Sequence, residues 1–339
     1  MMPVAILSPG YPDTPGGVTD HTARLVANWE SSGAEVTVVG QCDTDPEKAV
    51  AQLDTTSIQG VLVQYVPFLY GRRGLSQYPE RLAKSARTRG IRVTTFVHEP
   101  WVPANRPQWW ILSPLQKRQL RRVLGASDAT VTAVPAWQQM LGGSVELVYV
   151  GCVQPAIEPP DVAGPLLEAP VVFSPFAAGL NWEWVSQTAR ELNSAPGLIV
   201  VGADSADMRR HSVVQRFYEP RWDCRGRLPA DAVLNTLSCA RLVLAPFVDG
   251  ATGRRTSIAA ALSVGAPVLS SRGHLFDSAF DGPVSIARDL SDFVSRAKEI
   301  WDAGANPDER EDRLRWYREN LDPKTLDASL LRTVTGRGD

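Results

Sequence analysis

The strongest constraint on this chain is a rhythm. Short apolar runs alternate with helix-like patterns, stop in a Pro-rich stretch, and then resume. Such alternation marks repeated β-α units, whose strands pair in parallel sheets covered by helices. In the first half, Val4–Leu7, Glu35–Val39, Val61–Tyr65, Val93–Val97, Ala129–Ala133 and Leu147–Val150 read as strands. Thr22, Leu25, Val26 and Trp29 recur at helical spacing, and a further helix is expected over Gln116–Leu124 with Leu120, Val123 and Leu124 inward. Gly151–Leu166 holds Pro155, Pro159, Pro160 and Pro165 without periodicity and reads as an interdomain linker. Strands resume at Val171–Ser174, Leu198–Val201, Leu242–Ala245 and Val268–Ser270. Helices are expected at Glu183–Leu192, Ala230–Cys239, Thr256–Val264, Leu290–Trp301 and Asp308–Asn320. The pattern predicts two α/β domains, residues 1–155 and 165–305, with the tail 308–339 packing back towards the first.

Composition narrows the class. A chain of 339 residues suits two domains, and 44% hydrophobic with 21% charged residues lets each bury a core. A net charge of −2 offers no basic surface for a nucleic acid. No apolar run approaches the ~18 residues of a membrane helix. Met1–Ser8 runs into a strand pattern rather than a signal peptide. Cys42, Cys152, Cys224 and Cys239 lack metal or redox spacing and read as reduced thiols, which points to the cytoplasm. Trp101, Trp109 and Trp110 lie in a Pro-rich stretch where exposed rings can stack on a ligand.

Ligands of open α/β sheets bind at the carboxyl ends of strands, so the strand-to-helix loops carry the candidates. Ser8–Thr19 contains Gly16 and Gly17, which allow close backbone approach before a helix start. The structural alternative is a tight turn capped by Thr19 or Asp20. The loop is not GxGxxG, which argues against a dinucleotide site. His98 and Glu99 follow the strand at Val93, where a His can bond a substrate hydroxyl or serve as a structural residue. Ala245–Ser271 offers Gly250, Gly253, Arg254 and Arg255, then Thr256 and Ser257 opening an Ala-rich helix. Two guanidiniums beside a helix N-terminus make an anion trap, and Asp249 can grip sugar hydroxyls. A solvated loop with surface arginines is the alternative. Around Gly226, Arg225, Arg227 and Leu228 can reach phosphate or a nucleobase, or form a plain surface turn.

Taken in order, these features resemble the GT-B glycosyltransferases, most closely those of family 4. Gly16-Gly17-Val18 resembles a GG[VI] loop beside the active site. Val97-His98-Glu99 resembles the strand end whose histidine touches the donor sugar, and Gln64-Tyr65-Val66-Pro67 resembles a QY-x-P stretch. Ser263-Val264-Gly265-Ala266-Pro267-Val268 resembles the turn that follows the diphosphate-binding helix. Two features depart from the family. Its glutamate pair is missing, with Ala260 at the second position and Thr252 near the first; Asp249 is the nearest carboxylate. Its Arg and Lys after the first strand of the second domain are replaced by Phe176–Trp182, which holds no cation.

The resemblance implies two Rossmann-like domains facing across a cleft, the first for acceptor and the second for donor. It implies sugar transfer from a nucleoside diphosphate sugar to a hydroxyl or amine, with retention and no metal or other cofactor. The acceptor is a small molecule, a glycan or a lipid-linked molecule. His98 and Asp249 are then the catalytic candidates. Arg254, Arg255, Thr256, Ser257 and Gly17 hold the diphosphate, and Arg225–Leu228 the nucleobase or ribose. Gly16, Asp20, His21, Glu99 and Trp101 face the acceptor. Lys117, Arg118, Arg121 and Arg122 form a cationic helix face, read as solvated in preference to a peripheral membrane contact. The alternatives are a non-catalytic sugar-nucleotide-binding subunit and a nucleotide-sugar epimerase.

Overall fold

The computed structural model describes residues 2–14, 16–40, 45–53, 58–104, 106–154, 165–174, 176–177, 179–304 and 306–337. The linker prolines 155, 159 and 160, and Cys42, lie outside these residues. The chain forms two compact units, Met1–Val150 with Pro323–Asp339, and Gly151–Asp322.

The first unit is built on six parallel strands: β1 (Met2–Leu7), β2 (Ala34–Val39), β3 (Gly60–Tyr65), β4 (Arg92–Val97), β5 (Ala129–Thr132) and β6 (Val145–Leu147). They lie in the order β2-β1-β3-β4-β5-β6. β1 and β3 read as continuous apolar runs because both faces of the sheet are covered by helices, and Val4–Leu7 and Val61–Tyr65 are buried. The helices are α1 (Gly17–Ser31), α2 (Pro46–Leu53), α3 (Tyr78–Thr88), α4 (Pro107–Gly125) and α5 (Pro135–Leu141).

Three details depart from the sequence reading. β6 starts at Val145, two residues before the expected Leu147, because Gly142 and Gly143 (φ 68° and 69°) end α5 and turn the chain straight into the sheet. α4 begins at Pro107, where proline's fixed φ suits a first helical position. Trp109 and Trp110 are therefore helical rather than part of an irregular stretch. α1 begins at Gly17 with Gly16 as its cap, so neither Thr19 nor Asp20 caps it; the Asp20 N–H already donates to the Gly16 carbonyl (2.9 Å).

The second unit repeats the scheme with β7 (Val171–Phe173), β8 (Ile199–Val201), β9 (Asp223–Cys224), β10 (Val243–Ala245), β11 (Val268–Ser271) and β12 (Ser285–Ala287). All are parallel, in the order β12-β11-β10-β7-β8-β9. Its helices are α6 (Trp182–Glu191), α7 (Ser205–Arg210), α8 (Ala230–Ser238), α9 (Thr256–Ser263), α10 (Leu290–Ala303) and α11 (Pro307–Asn320). The tail divides at Leu321: α11 belongs to this unit, and α12 (Pro323–Thr335) to the first. A bidentate ion pair anchors α12, Arg24 of α1 donating to both oxygens of Asp327 (2.6 and 3.0 Å). Both partners are buried, with side chains 7% and 2% exposed. Among the described residues no helix is long and apolar enough to cross a membrane.

Candidate functional site

A parallel sheet opens a crevice at its carboxyl edge where neighbouring strands send their chains in opposite directions. In the first sheet that point lies between β1 and β3, and in the second between β7 and β10. Two of the loops singled out in the sequence leave these strands directly: 8–16 after β1, and 246–255 after β10.

At the first switch point the groups are polar and buried. Ser8 follows β1, Thr22 lies in the first turns of α1, Gln64 lies in β3 and His98 follows β4; all but His98 are fully buried. They form one hydrogen-bonded chain. His98 Nε2 meets Gln64 Oε1, Gln64 Nε2 donates to Thr22 Oγ1 (3.4 Å), and Thr22 Oγ1 lies 2.9 Å from Ser8 Oγ and 2.8 Å from the Val18 carbonyl. The His98 ring stacks on Phe96 at 4.3 Å and 18°. His21 packs edge-on against it at 5.4 Å. Burial first, then Arg24 and His98, hold the His21 pKa well below its ordinary value, so this ring is neutral at pH 7.

The other first-unit candidates lie on the loop after β1, the first turn of α1 and the segment after β4. Gly16 and Gly17 are exposed, and a Cβ at either would meet open space, so packing does not require glycine at these positions. Asp20 is exposed and Glu99 half-buried. The Glu99 N–H, like that of His98, donates to the Tyr65 carbonyl (3.4 and 3.0 Å). Trp101 lies under Lys117, whose Nζ is 4.8 Å from the ring centroid, so one of its faces is already taken.

At the second switch point the groups are charged. Arg254 and Arg255 each donate an Nη2 hydrogen to a different oxygen of Asp249. Burial alone would push the Asp249 carboxyl up, but the guanidiniums of Arg255 and Arg254 outweigh it and hold the pKa below its ordinary value. The Arg255 guanidinium also lies 4.0 Å over the Phe247 ring; Gly179 takes φ 82°, a backbone conformation that favours glycine, and a Cβ there would meet Arg255 Nη2 at an ordinary contact distance of 3.5 Å. Behind the loop, Gly250 (φ 97°) and Gly273 press backbone on backbone: a Cβ on Gly273 would fall 2.1 Å from the Asp249 carbonyl carbon. Two guanidiniums and one carboxylate leave a net positive charge. It stands at the start of α9, where Thr256 is half-buried and Ser257 buried, and where the first N–H groups of a helix have no partner within it. The sequence left Asp249 to grip sugar hydroxyls; here its two oxygens are already engaged in bracing the arginines. Thr252 and Ala260 are fully buried, and the Thr252 hydroxyl has no hydrogen-bond partner among the described residues.

The turn at Gly226 stands apart. Its N–H donates to the Ala203 carbonyl (3.0 Å) and its carbonyl accepts from Gly202 N–H (2.8 Å), at φ 67°. Arg225 is tied to Asp223 (2.8 Å). Only the exposed Arg227 and the half-buried Leu228 present groups that the turn itself does not use.

No family model matches the sequence, and no curated protein sequence matches it. Solved structures do. A glycosyltransferase from Rickettsia africae superimposes with a TM-score of 0.68 at 10% identity, covering 99% of both chains. Anabaena HepE, solved in complex with UDP, gives 0.64 at 14% identity, covering 99% of this chain and 100% of its own. AviGT4, a glycosyltransferase involved in avilamycin A biosynthesis, gives 0.63 at 13% identity, covering 100% and 99%. The fold is GT-B.

Within this GT-B chain Thr22, Gln64 and Phe247 were not among the sequence candidates for the site. Gln64 was visible only as part of a QY-x-P string, and its contact with His98 depends on the parallel register of β3 and β4, in which Tyr65 faces Val97. Phe247 lies under Arg255, and an antiparallel bridge joins it to Leu180. No local sequence signal encodes either pairing.

Proposed function

We propose that the protein transfers a sugar from a nucleoside diphosphate sugar to an acceptor hydroxyl or amine. The observation that carries this reading is the pair Arg254–Arg255, braced on Asp249 at the start of α9 and at the switch point of its sheet. A leaving diphosphate gathers negative charge in the transition state, and fixed guanidiniums and helix N–H groups stabilise it without reorganising. The acceptor oxygen forms its bond to the anomeric carbon as the bond to the diphosphate breaks, and the acceptor's proton passes to a departing phosphate oxygen. With attack and departure on one face, the configuration is retained, and no protein nucleophile or metal enters the step. The first unit takes the acceptor, and His98 contacts the sugar undergoing transfer. Arg227 and Leu228 hold the nucleobase.

The test is a thermal-shift series with UDP, GDP, ADP, CMP and dTDP and their common sugars at millimolar concentration, since a ligand specific to the folded state raises its stability. One diphosphate is expected to shift the transition. Arg254→Ala with Arg255→Ala is expected to weaken it at least about 100-fold, two charge-assisted contacts being worth about 1.5–3 kcal/mol each. Unchanged affinity in a folded double variant refutes the assignment. Epimerised sugar formed without any acceptor would place the protein among epimerases, and binding without turnover would make it a binding subunit.

A further inference from the structure

α4 turns one face to solvent, and that face changes character along its length. Among the described residues nine large apolar side chains are exposed, and five of them lie between positions 68 and 115: Phe68, Leu75, Trp110, Ile111 and Leu115. Trp110 and Ile111 are 64% and 75% exposed. At 3.6 residues per turn, Trp110, Ile111, Pro114 and Leu115 of the first half of α4 fall within an arc of about 140°. Arg118, Arg121 and Arg122 of the second half fall within the same arc and are exposed as well. Ser113, Gln116, Leu120 and Val123, on the opposite side, are buried. The helix carries no Asp or Glu.

A neighbouring segment extends this face. The Arg73 carbonyl accepts from Gln116 Nε2 (3.0 Å) and the Ser76 N–H donates to Gln119 Oε1 (2.7 Å), which clamps the segment along α4. Leu75 thereby lines one cleft with Leu115, Arg118 and Arg122. Arg72 and Arg73 add two exposed cations. Glu80, the acid of this cleft, is 14% exposed and already held by Lys84 (2.7 Å), with Arg122 at 4.0 Å. In a chain of net charge −2 this gathering of arginines is local. The sequence reading took the cationic face as solvated. Solvation accounts for the arginines, but not for a tryptophan, an isoleucine and two leucines exposed beside them.

We propose that this face of the first unit docks on an anionic lipid bilayer, with Trp110, Ile111, Leu115 and Leu75 entering the headgroup region and the arginines pairing with lipid anions. A bilayer surface uses both halves at once: its interface takes up aromatic and aliphatic side chains, and its charged headgroups draw guanidiniums. A soluble anion would engage the arginines and leave Trp110 and Ile111 in water. The inference is independent of the glycosyl-transfer reading, since it uses no residue of either switch point.

The experiment is co-sedimentation of the full chain with vesicles of mixed phosphatidylcholine and phosphatidylglycerol, and with vesicles of phosphatidylcholine alone, at physiological ionic strength. The mixed vesicles should bind about 100-fold more tightly, three arginines near the surface contributing about 5-fold each, and high salt should erase the difference. Arg118→Gln, Arg121→Gln and Arg122→Gln together should remove that preference. Trp110→Ser with Ile111→Ser should weaken binding at least about 10-fold, the two side chains no longer leaving water. All five side chains are exposed, so the variants should unfold at the wild-type denaturant concentration. Brominated lipid should quench wild-type tryptophan fluorescence, and Trp110→Phe should remove most of that quenching. Failure to bind the mixed vesicles overturns the proposal. Binding that neither set of substitutions weakens overturns it too, because the lipid then meets another surface. Self-association without vesicles, abolished by Trp110→Ser with Ile111→Ser in a protein that does not sediment with lipid, would give this face to a second copy of the chain instead.

Discussion

The two sheets end in the same kind of crevice but furnish it differently. At the β1/β3 point the groups bonded into the chain are two hydroxyls, an amide and an imidazole. At the β7/β10 point the principal groups are two guanidiniums and a carboxylate. The first unit also buries a charge, Arg24, one turn beyond His21 on α1, but cancels it with Asp327 on α12. A site of hydroxyls and amides selects a ligand by directional hydrogen bonds; a site with residual positive charge selects an anion. The same β-α framework thus carries hydroxyl, amide and imidazole groups at one switch point and an ion-paired arginine cluster at the other.

The largest effect should come from disturbing the cancellation. Asp327 accepts from Arg24 and from Asn28 Nδ2 (2.7 Å), and its carbonyl accepts from Trp29 Nε1 (2.8 Å). Asp327→Ala strands a buried guanidinium, and removing one partner of a buried pair costs about 3–5 kcal/mol. Denaturant unfolding should show that loss in the transition of the first unit. A loss below about 1 kcal/mol would mean that Arg24 reaches water or another acceptor, and that the first crevice does not depend on α12.

Asp249→Asn should cost less, about 2 kcal/mol, because an amide keeps one acceptor for one guanidinium while losing the charge that serves both. The folded-state pKa of Asp249 is lowered, so its contribution is present above the unfolded value near pH 3.9 and is lost as pH falls through the folded value. The stability gap between wild type and Asp249→Asn, followed by urea denaturation, should therefore be constant from pH 7 to about pH 4 and close below it. A gap that closes near pH 6 would assign the effect to a histidine and remove the carboxylate from the comparison.

How much of this was legible in the sequence follows from range. All but two of the twelve strands were readable because each is a short apolar run bounded by turns, and the loop that carries Arg254 and Arg255 was readable because glycines, arginines and a helix start are consecutive. β9 and β12 were not identified as strands, since edge elements of two and three residues carry no period. The partition of the tail into α11 and α12 was equally hidden: α12 is fixed by Asp327 meeting Arg24 across 303 positions of sequence. The engagement of Asp249 by two arginines is five and six residues away in sequence, yet it depends on how the loop folds back over Gly273, which the sequence alone does not encode.

The smallest effect tests the first crevice. His21 is 1% exposed, and its Nδ1 has no hydrogen-bond partner among the described residues. Its pKa is lowered first by burial and then by Arg24 and His98. Below pH 6.5 the unfolded chain takes up a proton at this residue while the folded one does not, so stability falls as pH falls, by up to about 1.4 kcal/mol per pH unit until the folded value is reached. His21→Phe keeps the ring and removes the proton. Thermal unfolding at pH 7.5 should be unchanged or slightly improved by the substitution, and at pH 5.5 the variant should be the more stable protein by about 1 kcal/mol. If wild type and variant instead keep the same difference at both values, His21 titrates alike in the folded and unfolded chains. The first crevice would then admit a charge, and the contrast between the two units would be one of degree.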